Sequence, residues 1–347
     1  MRISAIKYVT ILTAPLVGII SLTMHGWLTW LLPLFSFFIL PFTELFLNGS
    51  STNLSDLEEN AAKNDKTFDY VLYLMVPVQY FSLVYFLFSF NEPLHGYEIA
   101  GRIVTMGILC GILGINVAHE IGHRVKPFEQ FLAKSLLLTS LYMHFIIEHN
   151  RGHHKHVGTD HDPASSKYGE ILYAFWFRSI IYSFISAWKI ETDMLKKKGI
   201  PVLSWKNEMI RFIVIQLGFI LLISLIFGYL VMLYFLGAAF FGIVLLETIN
   251  YVEHYGLRRN KTNETTYERV MPVHSWNSNH PLGRIMLFEL SRHSDHHYMA
   301  SRKYQILRNF ENSPQMPTGY PGMILLALVP PLWFKVMHKR IKAIQGQ

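Results

Sequence analysis

Long, uninterrupted apolar blocks dominate this chain, and most of them have the length of a membrane-spanning helix. A helix needs about 20 apolar residues to cross the hydrocarbon core of a bilayer. The block at 212–246 contains no charged residue. It would extend about 52 Å as one helix, against a core about 30 Å thick, so we predict two helices that turn near Gly228. The pattern therefore predicts an all-α, polytopic membrane fold with six spans, at about residues 8–24, 28–47, 70–90, 99–118, 209–227 and 230–250.

Two further apolar segments need a separate argument. Segment 131–147 is barely long enough to cross a membrane. If it did cross, the histidine-rich segments that flank it would lie on opposite faces and could not share one site. We therefore predict that it does not span. Segment 168–190 is interrupted by Glu170 and Arg178, which is typical of an amphipathic helix.

The polar stretch 48–66 has no apolar periodicity, and we interpret it as a loop. The run 323–334 is broken by two prolines, so we expect it to lie against the membrane or the core. We expect the whole chain, residues 1–347, to form one integral-membrane domain. Its part outside the spans forms a helical cap, predicted at 119–208 and 251–347.

Composition supports a membrane protein and limits its chemistry. Hydrophobic residues make up 51% of the chain and charged residues 16%, as expected of a polytopic membrane protein. The single cysteine, Cys110, excludes an intramolecular disulfide and a thiolate metal cluster. The formal net charge of +7 suits a surface that faces anionic lipid.

The basic residues also predict an orientation. With six spans, the N-terminal Arg2 and Lys7, the lysines at 196–198 and the basic C-terminal third all fall on one side of the membrane. By the positive-inside rule this side is cytoplasmic. We therefore expect a multi-pass protein of the cell inner (plasma) membrane, with its histidine-rich face in the cytoplasm.

Nine of the seventeen histidines lie in four short motifs at the ends of apolar blocks. Two motifs, HEIGH from His119 and HNRGH from His149, contain histidines four residues apart, which project from one face of a helix. Neutral imidazole is the commonest protein ligand for transition metals. Nine are too many for one ion, so the motifs predict two metal ions, and imidazole suits Zn, Cu, Fe or Ni. The predicted ligands are His119, His123, His149, His153, His154, His254, His293, His296 and His297.

Other polar residues near the motifs are candidates for orienting the imidazole rings through their N–H groups. Glu247 and Asn250 share one helical face with His254 in an otherwise uncharged span, where an ionisable group is a functional candidate. We expect His274 and His280 to orient or pack rather than to bind metal. The full set of candidates is Glu120, Glu148, Asp162, Glu247, Asn250, Glu253, His274, His280 and Asp295.

The four motifs resemble those of the membrane alkane monooxygenases (alkane omega-hydroxylases), a branch of the membrane fatty-acid desaturase and hydroxylase superfamily. The most specific are NYVEHYG from Asn250 and RHSDHH from Arg292, and the resemblance extends to DPASS from Asp162, HSWNSNH from His274 and PTGYP from Pro317. It implies that the nine histidines bind two non-haem irons, and that rubredoxin and its reductase supply electrons. It also implies that O₂ supplies the oxygen atom that converts medium- to long-chain alkanes to primary alcohols.

Three alternatives remain open. A related superfamily enzyme would use the same nine histidines to hydroxylate or desaturate fatty acyl chains, or to oxidise xylene-like aromatics. A membrane zinc protease would use His119 and His123 as ligands and Glu120 as general base, but it would leave the other seven histidines without a role. A metal or haem transporter would place its ligands in mid-membrane rather than at one end of the spans.

Two expectations concern how substrate and electrons arrive. We expect the spans to enclose an apolar channel that rises to the metals and is lined by one face of the second span. The residues predicted to line it are Leu32, Ser36, Ile39 and Thr43. The sequence has no flavin, haem or iron–sulfur motif, so electrons must come from another protein. Residues 255–310 hold nine Lys or Arg against four Asp or Glu, and we expect this excess to attract an acidic rubredoxin.

Overall fold

The computed structural model describes residues 5–264, 266–344 and 346, and the regular elements in this part of the chain are helical. Six helices are long and apolar enough to cross a membrane: α1 (Ala5–Thr23), α2 (Gly26–Glu44), α4 (Thr67–Phe88), α5 (Gly96–Gly122), α9 (Glu208–Phe227) and α10 (Tyr229–His254). The remaining helices that we number are α3 (Asp56–Asn64), α6 (Pro127–Leu138), α7 (145–156), α8 (Leu172–Lys197), α11 (Pro281–Met286), α12 (His293–Tyr298), α13 (Tyr320–Ala327) and α14 (Pro330–Ile344). The predicted all-α fold with six candidate spans is confirmed.

The longest apolar block is divided between α9 and α10 at a single residue, Gly228. Its φ of 87° lies in a region that glycine adopts freely and residues with a side chain adopt rarely. The Gly228 N–H closes the end of α9 by donating to the Ser224 carbonyl, 3.0 Å away. The chain therefore turns where the block was predicted to divide, without a polar loop.

Helices α5 and α10, which carry the first and third histidine motifs, approach each other closely. A Cβ at Gly107 would lie 2.7 Å from the Phe241 Cβ, and a Cβ at Gly242 would lie 2.7 Å from the Cys110 Cβ. Small residues allow such close packing between membrane helices. Within α5, Cys110–Asn116 forms a π-helical stretch directly before the first motif. The close packing brings the histidine-bearing ends of the two helices together.

Segment 131–147 forms two separate helices, so it does not make a continuous span. Helix α6 ends at Leu138, the chain turns through Leu141 with a φ of 53°, and α7 begins at Phe145. Helix α7 contains a π-helical turn, His149–His153. Helix α8 is amphipathic as expected, because its buried residues recur every four positions. They include Phe175, Ser179, Ser183, Ala187, Glu191 and Leu195.

The interpretation of 48–66 as a loop is wrong, because it contains the nine-residue helix α3. Ser55 caps this helix, since its hydroxyl accepts the Glu58 N–H while the Glu58 carboxylate accepts the Ser55 N–H. Ala62 is buried on its inner face. The helix is too short to show an apolar period in the sequence. The capping box is the sequence signal that marks its first residue.

The C-terminal apolar run lies against the core and is divided between two helices. Helix α13 ends at Ala327, and α14 starts at Pro330, a position where the absence of a proline N–H costs no hydrogen bond. The Trp333 side chain is fully buried, with its ring 5.1 Å from that of Tyr251 on α10. The C-terminal helices thus pack beside the histidine-bearing end of α10.

Candidate metal centre

Five of the nine predicted ligands converge from three helices. They are His119, His123, His149, His154 and His296. The Nε2 atom of His296 lies 2.8 Å from that of His119 and 3.1 Å from that of His154. The Nε2 atom of His149 lies 3.2 Å from that of His123 and 3.0 Å from that of His154. We call these five residues the five-histidine group.

The other four predicted ligands form a second group next to the first. They are His153, His254, His293 and His297. The Nε2 atom of His293 lies 3.2 Å from that of His254 and 2.9 Å from that of His297. The Nε2 atom of His153 lies 3.2 Å from that of His297. We call these four residues, all of which are buried, the four-histidine group.

The division between the groups follows from helix geometry. On α12, His293 and His297 are four residues apart and face the four-histidine group, whereas His296 faces the other. On α7, the π-helical turn His149–His153 has a wider repeat than an α-helix. His149 and His154 consequently point into the five-histidine group while His153 points into the other. Helices α7 and α12 therefore supply ligands to both groups.

The spacing of the imidazole nitrogens fits metal coordination. Two nitrogens bound to one ion at about 2.1 Å, at right angles, lie about 3 Å apart, which is the separation observed within each group. Unprotonated nitrogens placed so close would repel each other without a cation between them. Each group could hold one metal ion.

Burial also keeps these rings in the form that binds metals, because a ligating imidazole must be neutral. Burial and the neighbouring His153 lower the pKa of His123 to about 4. Burial, followed by the neighbouring imidazoles, holds the pKa of His149, His293 and His296 well below the usual value. These four rings therefore offer free lone pairs at neutral pH.

Asp162 is placed to orient the imidazole ring of His153. Its Oδ2 atom is 2.9 Å from the Nδ1 atom of His153, so Nδ1–H donates to the carboxylate and Nε2 is left free for a metal. Ser165 and the Ala164 N–H also donate to Asp162. Burial raises the pKa of Asp162, but His153 and these hydrogen bonds outweigh burial and lower it overall.

Helix α10 supplies three polar residues beside the histidines. The Glu253 Oε2 atom lies 3.1 Å from the His293 Nε2 atom, and the Tyr320 hydroxyl donates to the other oxygen of Glu253. Glu247 accepts hydrogen bonds from the Tyr142 hydroxyl at 2.9 Å and from Asn250 at 3.2 Å. Glu247, Asn250 and Glu253 therefore lie beside the histidines.

Tyr320 was not among the candidates, although it lies in the PTGYP motif. The sequence around Tyr320 does not predict its hydrogen bond, because its partner Glu253 is distant in the chain. Its position in the motif was the one available clue.

Four of the candidates turn away from the rings. Glu120 accepts hydrogen bonds from Arg124 and the Tyr304 N–H, so it is not placed as the general base of a zinc protease. Asp295 pairs with Arg302 at 2.6 Å. The side chains of His274 and His280 bond to their own loops, at Met271 and Ser278 respectively.

His274 nevertheless contributes through its backbone, which hydrogen-bonds the ring of His254. Glu148 is buried beside His149, and its Oε1 atom has no hydrogen-bond partner among the described residues. Burial, followed by the carboxylate of Asp162, raises the pKa of Glu148 well above its usual value. Burial therefore disfavours the charged form of Glu148 beside the site.

An apolar cavity reaches from the histidines into the bundle. His119, His149 and His293 close its polar end. Its walls are apolar side chains of α2, α5, α10, α11 and α13, including Leu40, Ile108, Ile112, Leu246, Met286 and Ile324.

Only part of the predicted lining on α2 is correct. Ser36 lines the cavity, but Leu32, Ile39 and Thr43 are not among its lining residues. Because Phe35–Ile39 is π-helical, one turn takes an extra residue. The other lining residues of this stretch are Phe37 and Leu40, and Ile39 is 44% exposed.

Comparison with known proteins agrees with this geometry. The family model described as fatty acid desaturase matches residues 98–327, a range that contains all nine predicted ligands. Alkane 1-monooxygenase 2 of Alcanivorax borkumensis is 39% identical over 333 residues, which cover 94% of this chain and 86% of that protein. This chain belongs to the alkane monooxygenase family. The resemblance found in the motifs is thereby confirmed.

Two further relatives differ in their sequence identity to this chain. Alkane 1-monooxygenase 2 of Pseudomonas aeruginosa is 47% identical over 243 residues, or 70% of this chain, and this chain spans 64% of that relative's length. The xylene/toluene monooxygenase hydroxylase component of Pseudomonas putida is 28% identical over 249 residues, which cover 72% of this chain and 65% of that protein. The alkane monooxygenases are thus more similar to this chain than that xylene enzyme is.

Proposed function

We propose that this chain is an alkane 1-monooxygenase that hydroxylates the terminal carbon of medium- to long-chain alkanes. The observation that carries the proposal is the apolar cavity that ends at the nine histidines. We further propose that these histidines hold two non-haem irons, five rings on one ion and four on the other. The names of the relatives support this choice of substrate.

The residues of the chain have separable tasks in this reaction. The bound di-iron group would supply O₂ activation, so that alkane, O₂, two electrons and two protons give a primary alcohol and water. Ile108, Ile112 and Leu246 present no polar atom to the cavity, so they bind a hydrocarbon by shape and exclude water. A cavity that leads to the histidines from one end favours reaction at the end of the substrate. Asp162 holds His153 with Nε2 free for the metal.

The proposal also covers the electron donor and the orientation of the protein in the membrane. We propose a multi-pass protein of the inner membrane whose histidine-bearing face is cytoplasmic, with rubredoxin and its reductase as electron donors. The expected docking region, 255–310, has less free charge than its sequence suggests. Arg302 pairs with Asp295, and Lys303 pairs with Asp69. Arg284 pairs with Glu289, and Arg308 pairs with Glu59 and Asp56.

A basic groove beside α7 is the better docking surface for an acidic rubredoxin. It borders Gly152, in the π-helical turn that carries ligands of both groups. Its charged lining consists of Arg151, Lys155, Lys189, Asp193, Lys197 and Lys198. The four lysines are exposed and have no ion pair among the described residues. We call this surface the basic groove.

Product analysis tests the proposed function. The purified protein, loaded with iron and supplied with a rubredoxin system, is given a panel of alkanes, xylenes and fatty acids, and products are identified by gas chromatography. We expect primary alcohols from the alkanes. Products formed only from xylenes or fatty acids, or unsaturated products alone, would assign the chain to a different reaction of the superfamily.

A further inference from the structure

A second apolar void lies on the outer side of the bundle, next to the cavity that ends at the histidines. This outer groove is lined by residues of α2, α5, α8, α10 and α13. It extends from Trp27 and Trp30, at the start of α2, to Trp176 and Thr248, near the histidine-bearing end of α10. The Trp176 indole N–H donates to the Thr248 hydroxyl at 3.0 Å, so its apolar ring surface is what borders the groove.

The outer groove belongs to the part of the molecule that faces lipid. It borders α2, α5 and α10, which are three of the candidate spans. Phe38, which lines the groove, is 63% exposed. An apolar surface exposed on membrane-spanning helices meets lipid chains rather than water. Any molecule that fills the groove therefore comes from the hydrocarbon phase of the bilayer.

The two voids are separated by single side chains. Phe37, Leu245 and Ile324 line both the cavity and the outer groove. They come from three different helices, α2, α10 and α13, and none of their side chains has a hydrogen-bonding group. Moving them aside breaks no hydrogen bond, so this partition can open at low cost.

We propose that the hydrocarbon substrate passes sideways from the bilayer through this partition, between α2 and α13. Phe37, Leu245 and Ile324 form the gate, which controls access to the cavity. The inference rests on the proposed function for the identity of the substrate. An alkane is concentrated in the bilayer core, and this route never exposes it to water. The gate selects by cross-section, because an unbranched chain is thinner than a ring or a branched chain.

Photolabelling tests the route without any catalytic turnover. Protein that keeps its bound metal but receives no electron donor is placed in lipid nanodiscs, exposed to a linear alkyl diazirine, illuminated and mapped by mass spectrometry. In the wild type we expect labels on cavity residues such as Ile112 and Leu246 and on groove residues such as Leu34. In Ile324→Trp the groove labels should persist, while the cavity labels should fall at least fivefold because the larger ring fills the partition.

Two further variants keep the test decisive. Phe37→Ala widens the partition and should increase the rate of cavity labelling, a result that misfolding would not produce. Phe42→Trp is the matched control, because Phe42 lies on α2, is 63% exposed and lines neither void. It should leave both sets of labels unchanged.

The outcomes distinguish this proposal from the proposed function. Cavity labelling that is unchanged in both Ile324→Trp and Phe37→Ala would overturn the gate. So would equally strong cavity labelling by a diazirine phospholipid, since the opening would then be a site for lipid chains. If the labels behave as expected but product analysis finds no alcohol, the route stands and the proposed reaction is wrong.

Discussion

Among individual residues, the pairing of His153 with Asp162 shows most directly how the protein prepares a ligand. The carboxylate accepts Nδ1–H at 2.9 Å and thereby fixes which nitrogen faces the four-histidine group. Both residues are almost completely buried, so water cannot replace the carboxylate. The DPASS motif pointed to Asp162, but only the folded chain shows which of the nine rings it orients.

We expect Asp162→Asn to weaken metal binding about 10- to 100-fold, the usual effect of losing a carboxylate that orients a ligating histidine. The amide retains a hydrogen-bonding group but loses the charge that favours Nδ1–H. Asp160→Asn is the matched control, because Asp160 is exposed two residues earlier. Iron retained per chain after dialysis against graded chelator measures the effect. Equal retention by the two variants would show that Asp162 has only a packing role.

A second prediction concerns metal content. His254→Ala removes one of four rings from the four-histidine group and should lower iron from two per chain to about one, with loss of turnover. His161→Ala, at an exposed histidine outside both groups, should retain both ions. Elemental analysis of the purified variants measures the stoichiometry. A single zinc in the wild type, together with proteolysis of a membrane substrate, would instead support the protease alternative.

Among the elements, π-helical turns recur where the chain meets the site. Phe35–Ile39 borders the cavity, Cys110–Asn116 precedes the first motif, and His149–His153 carries ligands. Such turns are often found at functional sites, because they change the facing of all residues that follow. The repeat of an α-helix does not anticipate such turns, and the predicted lining of α2 was correct at Ser36 and wrong at Ile39.

Ser36→Trp should therefore shorten the longest alkane that the enzyme accepts. Ser36 is buried and lines the cavity, so an indole there fills part of the space that a long chain would occupy. Ile39→Trp, three residues away on the same helix, is 44% exposed and outside the lining. We expect it to leave the chain-length profile unchanged. Relative rates across an alkane series measure the effect, and equal loss at all lengths would indicate that Ser36 acts through helix packing.

Across the whole molecule, long-range contacts decide which charges remain available at the surface. Residues 255–310 are basic in the sequence, but Lys303 pairs with the distant Asp69, and Arg308 pairs with the distant Glu59. The lysines of the basic groove lack such partners among the described residues. The surface most suited to an acidic partner is therefore beside α7 rather than in the C-terminal third.

The salt dependence of turnover tests this surface. At limiting rubredoxin, turnover should fall as salt rises from low to moderate, because charge steering is screened over about 8 Å at physiological ionic strength. Reversing Lys197 and Lys198 to Glu should raise the rubredoxin concentration needed for half-maximal rate several-fold, with iron content unchanged. The control is Lys63→Glu, on α3 and outside the basic groove. Insensitivity to salt and to the double reversal would place docking elsewhere.

The sequence by itself determined the membrane fold, the number of candidate spans and which nine histidines are the candidate metal ligands. These depend on local signals, since an apolar block must become a helix in lipid and histidines four residues apart share a helical face. Only the tertiary structure decided how the nine rings divide into two groups. It also decided that Glu253 accepts a hydrogen bond from Tyr320 and that Asp295 forms an ion pair with an arginine rather than a contact with a histidine. The first two depend on residues far apart in the chain or on a π-helical turn, and the third depends on the path of the chain between Asp295 and Arg302. The periodicity of a single sequence records none of these.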